Sequence, residues 1–298
     1  MDLRVGTINI GGGEKSFEEF PQATQKTRQE ALAMLVNRID ATLLCLQEVS
    51  EYIDSDGLTH NLMDGITQGG KYNYSFYGKT VSMETHLQVK KDVMVKGVFN
   101  DWWDWSKGNA IHAKIPFARL SDPSLPGTPR NIPIYQPPVY EGTRNTEPRY
   151  VLLSRLKQAP YPFIATLHLT TLVDERHPQA QPDQVEKARN LRRQQVEKFI
   201  NLVKVNILNK GLPLILTGDF NASSDEACIK ELLVTKNGFK RLVPEDDGPS
   251  HTESKNPIDH ILFFPEKRLL QYHCWIETNG LSRKASDHLP VVADLSIE

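Results

Sequence analysis

The sequence has little cysteine. Cys45, Cys228 and Cys274 are too few and too odd in number for a disulfide framework, and none stands in a CxxC or Cys/His metal spacing. A reducing, cytoplasmic setting fits that usage. No stretch approaches 18 consecutive apolar residues, so no membrane span is expected, and the first residues lack the basic segment and long apolar run of a signal peptide. A surplus of positive charge is missing too: 35 Lys+Arg stand against 37 Asp+Glu, a formal net charge of −2. This excludes affinity built on many phosphate contacts, each of which is driven by counterion release, so any nucleic-acid contact must be local. His-Glu-x-x-His, Gly-x-Ser-x-Gly and the Gly-x-x-x-x-Gly-Lys-Ser/Thr phosphate loop are all absent. Gly11, Gly12 and Gly13 lack the spacing of a dinucleotide fingerprint and read as a flexible turn. No repeat of 20 to 50 residues and no Gly/Ser linker divides the chain. One domain over residues 1–298 is the economical reading.

What is present is a series of short apolar, β-branched runs: Leu3 to Ile10, Thr42 to Leu46, Ala110 to Ile115, Tyr150 to Leu156, Phe163 to Leu169, Leu212 to Thr217, Ile258 to Phe264 and Leu289 to Leu295. Their lengths and flanking turns predict strands. Helical spacing marks Thr24 to Arg38, and a longer helix over Asp183 to Asn209, with Val185, Leu191, Val196, Phe199, Val203 and Ile207 as its apolar stripe. The basic residues of that longer helix, Lys187, Arg189, Arg192, Arg193, Lys198 and Lys204, read as a solvated face. Two stretches read as irregular insertions, about 83–107 and 119–148. The second belongs to a region, Pro116 to Pro162, that holds ten of the 19 prolines. The first carries Lys90, Lys91, Lys96 and the trio Trp102, Trp103 and Trp105, which suits stacking on a base, a sugar or a lipid head group, or packing on its own core.

The chemistry collects at the ends of the strand-like runs. Asn9 closes the first, Glu48 the second and His168 the run from Phe163; Asp219 and Asn221 follow the run from Leu212. Two apart on an extended strand, Asp219 and Asn221 would share a face. Asp259 opens another run, and Asp287 and His288 open the last. In α/β sheets, sites gather where strands end. Oxygen-rich side chains without a cysteine cluster make a hard-cation site suited to Mg²⁺, with Mn²⁺ as the alternative. His112 and His251 are left out, each read as a satisfied core or surface histidine.

In this order, Asn9, Gln47-Glu48-Val, Gly108-Asn-Ala-Ile, Leu-His168-Leu, Gly218-Asp-Phe-Asn221, Ile-Asp259-His-Ile and Ser286-Asp-His288-Leu-Pro resemble the endonuclease/exonuclease/phosphatase superfamily, from Leu3 to Leu295. That superfamily includes deoxyribonuclease-type and abasic-site nucleases, sphingomyelinases and inositol-polyphosphate 5-phosphatases. The resemblance implies a four-layer α/β sandwich: two packed mixed β-sheets flanked by helices, with the site at one rim. It implies Glu48 as principal metal ligand, Asn9 assisting, and Asp287 holding a water of the metal. It casts His288 as the catalytic histidine at the scissile phosphate, Asp259 as its orienting carboxylate and Asp219 as the group that orients or deprotonates the attacking water. Asn221 and His168 would donate hydrogen bonds to phosphoryl oxygens. A metal-dependent phosphodiesterase, foremost a nuclease, is the expected function. A lipid or small-molecule phosphodiesterase or phosphatase with peripheral lipid contact, and a non-catalytic binding module, are the alternatives.

Overall fold

The structure, a computed structural model, describes all residues except 19, 21–22, 54–57, 63–70, 83–104, 139, 142 and 235–237. The described strands form two sheets. The first contains β1 (Asp2–Asn9), β2 (Leu43–Ile53), β3 (Thr59–Asn61), β4 (Tyr74–Ser82), β5 (Ser106–Ala113), β12 (Leu269–Ile276) and β13 (Val291–Ile297), in the order β12-β13-β1-β2-β5-β4, with β3 on β2. The second contains β6 (Arg130–Tyr135), β7 (Arg149–Arg155), β8 (Phe163–His168), β9 (Leu214–Asp219), β10 (Lys240–Arg241) and β11 (Asp259–Phe264), in the order β10-β11-β9-β8-β7-β6. Both sheets are mixed. Each has one central parallel pair, β1 with β2 and β8 with β9, among antiparallel neighbours.

Strands buried on both faces must be apolar throughout, and side-chain alternation then sends successive residues into different layers. In β9, Ile215 enters the core between the sheets with Val5, Leu43, Ile111, Ile164 and Phe263. Its neighbours Leu214 and Leu216 face outward and pack with Val196, Phe199, Val203, Ile229 and Leu232 of α2 (Pro182–Lys204) and α3 (Ala227–Leu233). On the other side, α1 (Gln25–Ile39) lays Leu32, Leu35 and Val36 against Ile8, Leu44 and Val292, beside α4 (Gly280–Ala285). Three cores therefore alternate with four layers in the order helix, sheet, sheet, helix, an α/β sandwich. No helix among the described residues is long and apolar enough to cross a membrane.

Three expectations change. The stretch 119–148 contains β6, an edge strand paired antiparallel to β7. An edge position tolerates Pro133, and the register shifts just after it, between Pro133 and Tyr135. Ser106 and Lys107 belong to β5, so the first insertion is shorter than expected. Lys90, Lys91, Lys96, Trp102 and Trp103 lie outside the described residues, while Trp105 is half-buried. Finally, Arg192 lies on the packing face of α2 with Ala188, Gln195, Val196 and Phe199. It is buried between Glu175 at 2.7 Å and Glu226 at 2.9 Å, so the basic side of α2 is not wholly solvated.

Candidate active site

The parallel pairs bring the C-terminal ends of β1, β8 and β9 to one rim, and antiparallel β11 and β13 start from that same rim. This places Asn9 and the segment 286–288 of the first sheet opposite His168, Asp219 and Asp259 of the second. Glu48 joins them through a β-bulge. Leu46 pairs with Ala110 and Val49 with Gly108, so β2 carries one residue more than β5 over that interval. Glu48 takes the left-handed conformation there, with φ 55°. Consecutive side chains consequently diverge. Gln47 turns into the interior and its amide donates to Thr166 of the other sheet at 2.9 Å and to Thr7 at 3.2 Å. Glu48 turns to the cleft, where its carboxylate accepts from Asn9 Nδ2 at 3.2 Å and pairs with the Lys107 ammonium. Burial opposes ionisation of Glu48, but the Lys107 ammonium and the Asn9 amide hold its carboxyl well below the usual range.

Asp219 is almost fully buried at the centre. Its Oδ2 accepts from Asn9 Nδ2 at 3.0 Å and lies 3.5 Å from His168 Nε2 and 3.8 Å from His288 Nε2. Asn221 reaches it by a route different from the extended one expected. The chain turns after β9, Asn221 has φ 50°, and its backbone N–H donates to Asp219 Oδ1 at 2.8 Å. Its Nδ2 donates to the Leu169 carbonyl at 2.9 Å, with Asp219 Oδ2 at 3.4 Å, leaving Oδ1 to accept from Arg176. The preceding residue must be glycine. Gly218 has φ 142°, and a Cβ there would lie 1.9 Å from the Leu167 carbonyl oxygen.

The two histidines facing Asp219 have opposite character. Arg149 Nη1 lies 3.1 Å from His168 Nδ1. Arginine only donates, so Nδ1 is the acceptor and the proton sits on Nε2, between Asp219 and Glu48. Burial, reinforced by the Arg149 charge, pushes the His168 imidazole down to about 3, and it is neutral. At His288 burial also opposes charge, but Asp259 and Asp219, helped by Asp287, raise the ring to about 9. His288 Nδ1 donates to Asp259 Oδ2 at 2.9 Å, and the Ser250 hydroxyl donates to that same oxygen at 2.7 Å. Neighbouring groups driven apart in this way are the usual basis of acid and base assignments at one site.

His251, left aside in the sequence reading, is part of this cleft. A backbone bridge pairs it with His288, their rings stand 4.4 Å apart, and its Nε2 lies 3.8 Å from Asp287 Oδ2. Burial opposes the Asp287 charge, but His251 and His288 hold its carboxyl below the ordinary range. His112 is the core residue expected, buried and bonded to Ser75 at 2.8 Å, but it is only half satisfied, since its Nε2 has no partner among the described residues. Lys107, Arg149 and Arg176 also escaped the sequence reading. Each acts on a partner more than ten residues away, which no local pattern signals.

Asn9, Glu48, Lys107, His168, Arg176, Asp219, Asn221, His251, Asp287 and His288 line a cleft of about 720 Å³, together with the segment Thr171 to Pro178. The carboxylates of Glu48, Asp219 and Asp287 line it, with Asn9 beside them through its Nδ2, whereas all three cysteines are buried elsewhere in the cores, and these carboxylates fit a hard divalent cation. The tightest groups of candidate ligand atoms among the described residues, within 4.8 Å of one another, are His251, Asp287 and His288, and Asp219, Asp259 and His288. Glu48 belongs to neither, its carboxylate being engaged by Lys107 and Asn9.

The whole chain also resembles solved structures. An endonuclease/exonuclease/phosphatase from Beutenbergia cavernae matches with a TM-score of 0.67 at 17% identity, covering 99% of this chain and 72% of its own. One from Bacteroides vulgatus matches with a TM-score of 0.64 at 15% identity over 100% of both chains. The human Nocturnin catalytic domain, solved with a bound sulfate anion, matches with a TM-score of 0.63 at 16% identity over 100% of this chain and 95% of its own. At these identities the likeness is one of fold. No curated protein matches the sequence significantly. The sequence profile of the Endonuclease/Exonuclease/phosphatase family matches residues 6–288, and the chain belongs to that family.

Proposed function

We propose that this protein is a divalent-metal-dependent phosphoesterase that hydrolyses a phosphodiester by in-line attack of water, with nucleic acid as its first substrate. The observation that carries this is the meeting of a charged His288–Asp259 pair and a neutral, proton-donating His168 around the buried carboxylate of Asp219. Asp219 is placed to orient water and draw its proton. The His168 Nε2–H meets negative charge developing on a phosphoryl oxygen without adding a proton of its own to the balance. His288 presents a cation toward the leaving side, and Asp259 supports the imidazolium as the carboxylate does in a hydrolase triad. Mg²⁺, or Mn²⁺ in its place, held by Glu48, Asn9 and Asp287, would neutralise phosphate charge and lower the barrier to water ionisation. A cleft lined by several carboxylates needs that cation to admit an anionic substrate. A net charge of −2 further favours a small or locally held one.

The test is a hydrolysis panel in Mg²⁺, Mn²⁺ or chelator, containing a generic phosphodiester, a phosphomonoester, single-stranded DNA, plasmid, RNA and sphingomyelin. The expected result is metal-dependent cleavage of phosphodiesters that include nucleic acid. His288→Ala and Asp219→Ala should remain folded with rates lower by roughly two decades or more. Cleavage surviving full chelation, or an unchanged rate in His288→Ala, overturns the mechanism. Activity confined to sphingomyelin overturns the choice of nucleic acid.

A further inference from the structure

The geometry points to Arg176 as a further catalytic residue, one whose guanidinium binds a non-bridging oxygen of the scissile phosphate in the place that the sequence resemblance assigns to the Asn221 amide. This inference rests on the phosphoesterase reading above. It begins from the orientation of Asn221, which its surroundings determine. The Leu169 carbonyl can only accept, so the atom 2.9 Å from it must be Nδ2, and the second acceptor near that nitrogen is Asp219 Oδ2 at 3.4 Å. The oxygen Oδ1 therefore faces the cleft. An amide oxygen repels a phosphoryl oxygen, so Asn221 in this pose cannot be the donor.

Arg176 supplies what Asn221 withholds. Its Nη2 donates to Asn221 Oδ1, and its Nη1 lies 3.4 Å from His251 Nδ1, a nitrogen that already accepts the Glu253 N–H at 3.0 Å. Neither partner is a carboxylate. Among the described residues Arg176 has no carboxylate within ion-pair distance, unlike buried Arg149, Arg192 and Arg241, and unlike Arg155, whose guanidinium is taken up by the Tyr161 and Leu120 carbonyls. A guanidinium carries five donors in a rigid fork that matches two phosphate oxygens. Two such contacts leave donors to spare on a side chain that lines the cleft beside Asn221 and His251.

The backbone that carries Arg176 is tied down. The Glu175 carboxylate accepts from the Leu172 N–H at 3.1 Å and the Thr171 hydroxyl at 3.3 Å, and it is clamped by buried Arg192 at 2.7 Å. Val173 is held from both sides, its N–H by Asn145 Oδ1 at 2.9 Å and its carbonyl by Gln184 at 2.6 Å. The guanidinium is thus delivered by a fixed segment, and a donor fixed before reaction stabilises developing charge without reorganisation. Arg176 also balances the cleft. It puts a permanent cation on the Asn221 side, away from Glu48 and its Lys107 partner.

The experiment compares wild type, Arg176→Ala, Arg176→Lys and His288→Ala in Mg²⁺, measuring kcat and KM on a generic phosphodiester and, separately from turnover, the affinity for inorganic phosphate by calorimetry. Arg176 is half-buried on a surface segment, so thermal midpoints should stay close to wild type. The expected result for Arg176→Ala is phosphate affinity weaker by roughly tenfold or more and kcat lower by roughly 10² to 10³, with Arg176→Lys recovering part of the charge effect but not the forked contact. His288→Ala should lose turnover while phosphate binding, weakened by loss of the imidazolium, stays measurable. Unchanged phosphate affinity in Arg176→Ala overturns the proposal whatever happens to kcat, as does a wild type that binds no phosphate. A wild type that binds phosphate through Arg176 yet hydrolyses no phosphoester would leave the anion site standing and remove the phosphoesterase reading.

Discussion

Replacing Gly218 by alanine tests whether the end of β9 is built as described. The residue has φ 142°, a region that costs a residue with a Cβ about 1 to 3 kcal/mol. Its Cβ would lie 1.9 Å from the Leu167 carbonyl oxygen and 2.9 Å from the carbonyl carbon, both backbone atoms that no rotamer change can move. Relief requires β8 and β9 to part locally by more than an ångström, and forced expansion of a packed interior costs about 1 to 3 kcal/mol more. The expected loss is therefore about 2 to 6 kcal/mol, a large share of the ~5 to 15 kcal/mol typical of a native protein. The strain falls where Leu167 faces Gly218 and His168 faces Asp219 in the parallel register. A displacement of about 1 Å between catalytic groups can lower a rate by about 10². Urea unfolding followed by circular dichroism, with phosphodiester hydrolysis measured well below the midpoint, reads both effects. An unchanged urea midpoint together with a rate within twofold of wild type would refute the reasoning.

Acid should weaken the fold in part through His112. Burial pushes its ring from 6.5 down to about 4, so below pH 6.5 the unfolded chain takes up a proton that the folded chain refuses. Stability is complete above pH 6.5 and falls as the pH drops through 4, by at most about 3 to 4 kcal/mol for this one group at 1.36 kcal/mol per unit. Urea unfolding at pH 7 and pH 5 should show a smaller loss in His112→Gln than in wild type, and an equal loss removes His112 from the account. Mg²⁺ at about 100 times its Kd should stabilise the protein by about 2.7 kcal/mol. Calorimetric melting should show Glu48→Gln losing that increment, whereas an equal increment in the variant would take Glu48 out of the metal site.

Much of this was legible because strands report their own ends. A run such as Leu214 to Asp219 carries no charge until the chain leaves the sandwich, so its first charged residue, Asp219, marks the rim. The compact Gly218-Asp-Phe-Asn221 motif needs only local geometry, although the turn, not an extended strand, is what unites its two polar members. His251 was illegible for the opposite reason. It stands in an irregular polar segment and owes its place to a bridge with His288, 37 positions along the chain. Lys107 and Glu48 meet because β2 and β5 pair, and Arg149 and His168 because β7 and β8 do. Such contacts depend on register, which composition does not encode. Edge strand β6 was hidden by proline, which edge positions accept and central strands do not. Arg192 shows the reverse error: helical periodicity put it on a face, but only the tertiary partners Glu175 and Glu226 decide that the face is buried.

The Asn9 amide donates at once to Glu48 of its own sheet and to Asp219 of the other, while Gln47 spans the same seam from within. Neither sheet owns the cleft. Each could acquire its hydrogen-bonded ladder alone, and the helices could collapse onto their outer faces, without the site yet existing. The cleft is then a property of the docked pair of sheets. A partial opening along that seam would take the cleft apart while leaving the secondary structure, and most of its spectroscopic signature, in place.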